Sequence, residues 1–148
     1  MTKSCGHSEL SDQAAGKILS EKGLKKTQGK IKILQQISLS HKPLSAQEIH
    51  SQLKESCDLS TVFRTLTQFK EKSLIKEVNL DEGFLRYEMG TSEESHHHHH
   101  VRCRKCGDIK NIEKCNMNSF NKAIMELGFS QMEHRLEFTG ICSKCLES

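Results

Sequence analysis

The sequence predicts an α+β protein: a winged helix-turn-helix domain followed by a small αβ domain built around a four-cysteine zinc site. Three observations carry this. Apolar residues recur at helical spacing through the first half and then switch to a period of two on either side of Asp81-Glu82-Gly83. Composition turns abruptly to histidine and cysteine after a Gly/Ser/acid stretch at residues 90–95. Two Cys-x-x-Cys pairs, Cys103/Cys106 and Cys142/Cys145, occupy the second half.

The elements follow in chain order. Leu10, Ala14, Ala15, Ile18 and Leu19 define an amphipathic helix over residues 9–22, ending near Gly23. Thr27 can cap a second helix that buries Leu34 and Ile37 with Ile31 or Ile33. It must stop before Pro43, the single proline. Ser45-Ala46-Gln47-Glu48 has the form of a capping box and opens a third helix with Ile49 and Leu53 inward. Ser60 is the expected cap of a fourth helix. Its apolar positions are Val62, Phe63, Leu66 and Phe69, with Thr61, Arg64, Thr65 and Gln68 largely on the other side. Val78 and Leu80, then Leu85, Tyr87 and Met89, form a hairpin. Beyond the hinge, residues 119–127 read as a helix with Phe120, Ile124 and Leu127 inward, and Leu136 and Phe138 as a strand leading to Cys142.

Composition bounds the class. The chain has 148 residues, 34% of them hydrophobic, and no Trp. Two small domains of this kind bury modest cores, so a metal or oligomerisation is expected to assist them. Residues 1–10 carry no signal-like apolar run, and no stretch approaches the roughly 20 apolar residues that span a bilayer. A cytoplasmic protein with no membrane partner is expected. There thiols stay reduced, so the seven cysteines read as metal ligands before disulfides. Net charge is only +3, but between Lys17 and Lys32 lie six lysines and one acid, Glu21. Such a stripe suits phosphate contact or is simply a solvated helix face.

A recognition helix in the major groove needs a few side chains that reach base edges. Thr61, Arg64, Thr65 and Gln68 are suitable types, though many surface helices carry them. Helix order and the following hairpin favour double-stranded DNA as partner. Four thiolates converging from two knuckles suit a closed, structural Zn²⁺ site rather than a catalytic one; an iron–sulfur cluster or unpaired thiols are the alternatives. Cys57 and Cys115 read as ordinary thiols, and Cys5 beside His7 as an adventitious site. His96 to His100 are five consecutive imidazoles. On an extended strand, His97 and His99 face one way while His96, His98 and His100 face the other, so one strand can feed two metal sites. A metal-buffering tract is the alternative. His134, on the strand face of Leu136 and Phe138, is a candidate only because other histidines are near. An enzyme is not expected: neither His-Glu-x-x-His nor His-x-Glu with Pro-Cys-x-x-Cys occurs.

In their joint order, several stretches resemble the ferric uptake regulator family: Gly23 to Thr27, Pro43 to Ala46, Leu59 to Leu66, Arg86-Tyr87-Glu88, His96 to Gly107, and His134 to Cys142. The resemblance implies a homodimeric, metal-activated repressor. Its winged-helix domain would be residues 1–89, its hinge 90–95 and its metal-binding dimerisation domain 96–148. It implies structural zinc at Cys103, Cys106, Cys142 and Cys145. It implies a regulatory Fe²⁺ or Zn²⁺ site at Glu88, His98 and His100, with His41 as a further candidate. It implies an additional site at His97, His99 and His134, with Glu113 standing in for an acid. Lys25 matches a minor-groove lysine, and Phe63 and Arg64 match a DNA-contacting pair, on a palindromic, AT-rich operator.

Departures from the family pattern are informative. Phe63 stands where Tyr is usual, Pro43 where a regulatory His is usual, and Asn118 where the acid of the additional site is usual. Asn111 replaces the Asp of a peroxide-sensing member. His99, where iron-type members carry Asp, leans towards zinc; the lack of a cysteine at position 88 leans towards iron. Repression of iron-uptake genes is the expectation, with a zinc uptake regulator, a peroxide-sensing member of the family or a metal-buffering chaperone as alternatives.

Overall fold

The structure, a computed structural model, describes residues 9–90, 99–112, 115–132 and 134–147. The chain divides into two compact units, Met1–Ser92 and Glu93–Ser148.

The first unit begins with α1 (Asp12–Glu21) and α2 (Gln28–Leu39). Ser11 caps α1 by accepting from the Ala14 N–H, and Gly23 reverses the chain at φ 71°, a conformation that glycine adopts without a Cβ penalty. Thr27 caps α2 as expected, accepting from Lys30 N–H. Both Ile31 and Ile33 are buried, together with Leu34 and Ile37. After Pro43 comes β1 (Leu44–Ser45), a strand the sequence did not signal, because two residues carry no period. It runs directly into α3 (Ala46–Gln52), whose capping box is complete. Ser45 Oγ accepts from Glu48 N–H at 3.1 Å, and Glu48 Oε2 accepts from Ser45 N–H at 2.8 Å.

The next helix, α4 (Leu59–Glu71), corrects the sequence reading at two points. Its cap is Asp58, not Ser60. Asp58 Oδ1 accepts from Thr61 N–H at 2.7 Å and also from the Ser60 hydroxyl at 2.6 Å, so Ser60 serves the cap rather than being it. These bonds hold the Asp58 carboxyl at about 2, well below its ordinary 3.8. Second, the buried stripe is Val62, Thr65, Leu66 and Phe69. Thr65, expected on the outer side, is therefore turned into the core. Phe63, expected among the apolar inward positions, is 44% exposed. The period of 3.6 decides both, since Thr65 lies three residues after Val62 and four before Phe69, whereas Phe63 falls between stripes.

Two strands follow, β2 (Ile75–Asn79) and β3 (Leu85–Met89), paired antiparallel from Ile75↔Met89 to Asn79↔Leu85. Asp81 and Gly83 take positive φ in the turn between them. β1 pairs with the other side of β3, giving the order β1-β3-β2. One apolar core joins all four helices to this sheet, with Leu19, Ile33, Leu34, Ile49, Leu66 and Phe69 almost fully enclosed.

Arg86, on the central strand, is 6% exposed. Its guanidinium donates to both carboxylate oxygens of Glu82 (2.6 and 3.1 Å), to Glu48 Oε2 (2.7 Å) and to the Pro43 carbonyl (3.2 Å). The side chain thus ties the wing to the capping box of α3. Gly90 closes the unit: its N–H donates to the Leu74 carbonyl at 2.8 Å. A Cβ there would lie 2.9 Å from the Ser73 carbonyl oxygen.

The second unit holds β4 (His99–Cys103), β5 (Ile109–Ile112), α5 (Asn118–Glu126), β6 (Glu137–Gly140) and α6 (Ser143–Leu146). Its sheet has the order β5-β4-β6, antiparallel between β4 and β5 and parallel between β4 and β6. Here a further correction applies. Of the three residues expected inward, Ile124 is half-buried while Phe120 is 62% and Leu127 75% exposed, and no residue of α5 is buried. An amphipathic period shows that a helix has an apolar face, not what that face meets. No helix among the described residues is long and apolar enough to cross a membrane.

Candidate metal centres and nucleic-acid interface

Both Cys-x-x-Cys pairs meet at one end of the second sheet. Cys103 ends β4, Cys106 lies in the following turn, and just beyond β6 Cys142 precedes α6 and Cys145 lies within it. Their four sulfurs all lie within 4.8 Å of one another. Cys106 Sγ is 3.7 Å from Cys142 Sγ, which matches the edge of about 3.8 Å for a tetrahedron with metal–sulfur bonds of about 2.3 Å. Gly107, at φ 76°, turns the first knuckle, and its N–H donates to the Cys103 carbonyl. Cys142 N–H donates to Cys103 Sγ at 3.3 Å.

The electrostatics of the group favour a cation. Backbone N–H groups of Cys106 and Cys142 bring the Cys103 thiol down to about 6, which favours its thiolate form. The adjoining Cys142 thiol, with burial, pushes Cys145 up to about 12. Four thiolates cannot share this space without a counter-charge. A divalent soft-tolerant ion supplies it, and a closed four-sulfur shell suits structural zinc. The residues present fit that group.

A second cluster joins His99, Cys115 and His134, whose ligand atoms also lie within 4.8 Å of one another. Cys115 Sγ is 3.2 Å from His134 Nε2, and the rings of His99 and His134 are 5.2 Å apart, tilted by 42°. His99 and His134 thus meet as expected for the additional site. Cys115, read from sequence as an ordinary thiol, stands with them and so becomes a candidate ligand. Only proximity in space reveals it, because nothing in the spacing of Cys115 pairs it with either histidine. His97 and Glu113, the other candidates for that site, lie outside the described residues, as do Cys5 and His98.

The remaining regulatory candidates are Glu88 and His41 in the first unit and His100 in the second. Glu88 is half-buried on β3 and pairs with Lys76 at 2.9 Å. His41 is exposed in the turn before Pro43, and His100 is 3% exposed on β4.

On α4, Phe63 and Arg64 project to solvent while Thr61 and Gln68 are half-buried. The Thr61 hydroxyl donates to Asp58 Oδ2 at 3.1 Å, so it belongs to the cap of α4. Lys25 is exposed in the turn between α1 and α2. Within the lysine stripe, Lys32 is held by the Ser56 hydroxyl at 2.8 Å and Lys17 pairs loosely with Glu21 at 3.9 Å.

Comparison with known proteins agrees with this organisation. The sequence profile of the Ferric uptake regulator family matches residues 21–139. The Ferric uptake regulation protein of Legionella pneumophila is 36% identical over 132 residues, covering 86% of this chain and 95% of that protein. The solved ferric uptake regulator of Francisella tularensis with iron has a TM-score of 0.73 at 29% identity, covering 84% of this chain and 96% of that one. The Helicobacter pylori ferric uptake regulator, described as having three functional metal-binding sites, superposes with a TM-score of 0.77 over 95% of this chain and 98% of its own; at 23% identity it speaks for the fold alone. With a profile covering most of its length and relatives above 30% identity, this chain belongs to the ferric uptake regulator family.

Proposed function

We propose that the chain is a metal-activated, DNA-binding transcriptional repressor of metal-uptake genes, with iron as the regulatory metal. Proteins of this family are transcription regulators rather than enzymes. The observation that carries the reading is α4, a helix with a fully enclosed inner stripe that turns Phe63 and Arg64 outward beside a paired wing. An aromatic ring can meet thymine methyls, and an exposed guanidinium can read guanine or clamp phosphate.

In this reading residues 1–89 form the DNA-binding domain, 90–95 the hinge and 96–148 the metal-binding dimerisation domain. The exposed apolar residues Phe120, Met125, Leu127 and Phe129 support a second copy of the chain as partner, since a face of this kind is costly to leave in water. A homodimer presents two copies of α4 to the half-sites of a palindromic, AT-rich operator.

The switch assigned to Glu88, His98 and His100, with His41 as a further donor, rests on linkage. Metal can promote operator binding only through its preference for the arrangement that lets these residues share it. Glu88 pairs with Lys76 through one carboxylate oxygen, and a cation bound to the same carboxylate competes with that ammonium for its charge. A carboxylate with imidazoles suits Fe(II) and also accepts zinc; the solved neighbours include zinc and manganese uptake regulators as well as iron ones.

The test is operator binding with the structural zinc retained, titrated with Fe(II) anaerobically and with Zn(II) at buffered free concentration. Activation by micromolar iron, with zinc acting only far above trace levels, is the expected result. Activation at trace zinc makes the protein a zinc uptake regulator. Replacing His98 and His100 together by Ala is expected to reduce the metal-dependent gain in affinity at least tenfold. An unchanged gain refutes the switch.

A further inference from the structure

We propose that Cys115 is a metal ligand, completing with His99 and His134 a two-imidazole, one-thiolate site for a thiophilic divalent cation such as zinc. The inference concerns the second unit alone and stands or falls independently of the operator reading.

The topology explains how three residues scattered over the sequence come together. β4 runs antiparallel to β5 and parallel to β6. The start of β4, the end of β5 and the start of β6 therefore lie at the same end of the sheet. His99 is the first residue of β4, paired with Ile112, the last of β5. Cys115 follows β5 by three residues, and His134 precedes β6 by three. The four paired cysteines occupy the opposite end of the same three strands. One small sheet thus carries a donor cluster at each end.

The chemistry of the donors is specific. The family pattern places an acid at position 118, but here Asn118 opens α5, and a neutral amide supplies no anionic donor. Cys115, just upstream of α5, supplies one. Its sulfur lies 3.2 Å from His134 Nε2, close to the donor–donor edge of about 3.5 Å expected when an imidazole at about 2.0 Å and a thiolate at about 2.3 Å share a tetrahedral zinc. His99 is 5% exposed, so one donor is held inside the unit before any ion arrives. Exchanging a carboxylate for a thiolate moves a site away from Mn(II) and Fe(II), which favour oxygen and nitrogen, and towards Zn(II) and Co(II). Binding releases the thiol proton to solvent and leaves a net charge of +1 on the ion and its sulfur.

Two measurements test the assignment on the full chain with zinc kept at the four paired cysteines. In the first, Co(II) is titrated into the wild type and into Cys115→Ser. The wild type is expected to gain a thiolate-to-cobalt charge-transfer band with the added ion, and Cys115→Ser to lose it. The hinge candidates hold no sulfur, so cobalt bound there cannot produce the band. A band of equal intensity in Cys115→Ser overturns the proposal.

The second measurement needs no variant and so survives a folding defect in Cys115→Ser. Alkylation of each cysteine in the wild type is followed by mass spectrometry, with Cys57 as internal reference. Zn(II) beyond the first equivalent is expected to slow modification of Cys115 at least tenfold and leave Cys57 unchanged, whereas the same concentration of Mn(II) protects neither. Equal rates at Cys115 with and without zinc overturn the assignment. Equal protection by manganese overturns the selectivity.

Discussion

Removing the Arg86 guanidinium while keeping its bulk isolates what the buried charge does for the winged unit. Arg86→Met preserves most of the volume and the apolar stem but deletes the bonds to Glu82, Glu48 and Pro43. The two carboxylates left behind differ. Glu82 is 11% exposed and loses both of its bonds to the guanidinium. Glu48 is 36% exposed and keeps the Ser45 N–H. Removing the cationic partner of a buried carboxylate costs about 3 kcal/mol or more, whereas a half-solvated one adds at most about 0.5 kcal/mol. The expected total is about 3 kcal/mol, most of it at Glu82. The assay is urea unfolding followed by tyrosine fluorescence. Tyr87 is the single tyrosine, there is no Trp, and Tyr87 is 8% exposed on β3, so the signal reports this unit alone. With a urea dependence of about 1.5 kcal/mol per molar, the midpoint should fall by about 2 M. Adding Glu82→Gln to Arg86→Met should restore roughly half of the loss, and adding Glu48→Gln far less. A fall in midpoint below about 0.5 M, or equal rescue by the two glutamines, would refute the reasoning.

Three further outcomes are expected. Gly90→Ala should destabilise the first unit by about 1–3 kcal/mol in the same assay, because its Cβ meets the Ser73 and Leu74 carbonyls at 2.9 and 3.2 Å. Asp58→Ala should lower the urea midpoint at neutral pH by removing the cap of α4. Because folding depresses this carboxyl from 3.8 to about 2, its contribution is complete above about pH 4 and declines as the pH falls towards 2, so the gap between wild type and variant should close over that window. Chelation that strips the four-cysteine site should abolish protection from hydrogen exchange in β4–β6 while the Tyr87 signal stays native. The enclosed apolar core belongs wholly to the first unit, whereas the apolar core residues of the second are only Cys103 and Ile109 among its described residues.

How far the sequence could be read follows from where each signal comes from. Caps and stripes are local, so Thr27, the Ser45–Glu48 box and the inner face of α2 were legible. The α4 cap was misplaced because Asp58 and Ser60 are both capping types two residues apart, and only the hydrogen bonds separate them. Assigning Thr65 outward weighed its hydroxyl above its position, though the helical period places it with Val62 and Phe69. The two cysteine pairs announced themselves, since each knuckle brings its own thiols together whatever the rest of the chain does. Cys115 could not announce itself. Its partners are separated from it by a strand pair on one side and α5 on the other, and their meeting depends on β6 running parallel to β4. The exposed face of α5 was invisible for a related reason: periodicity describes one helix and not its surroundings.

Gly90 also bears on how such proteins can be recombined. Its N–H is fastened to the Leu74 carbonyl, and carbonyl oxygens crowd the space where a side chain would stand, so the packing of the first unit runs at least one residue past the end of β3 at Met89. A chimera that grafts the second unit of another relative onto this first unit should therefore be spliced after residue 90. A junction one residue earlier that imports any other amino acid would injure the donor half before the graft had been tested. A fragment made to study the first unit alone should include this glycine.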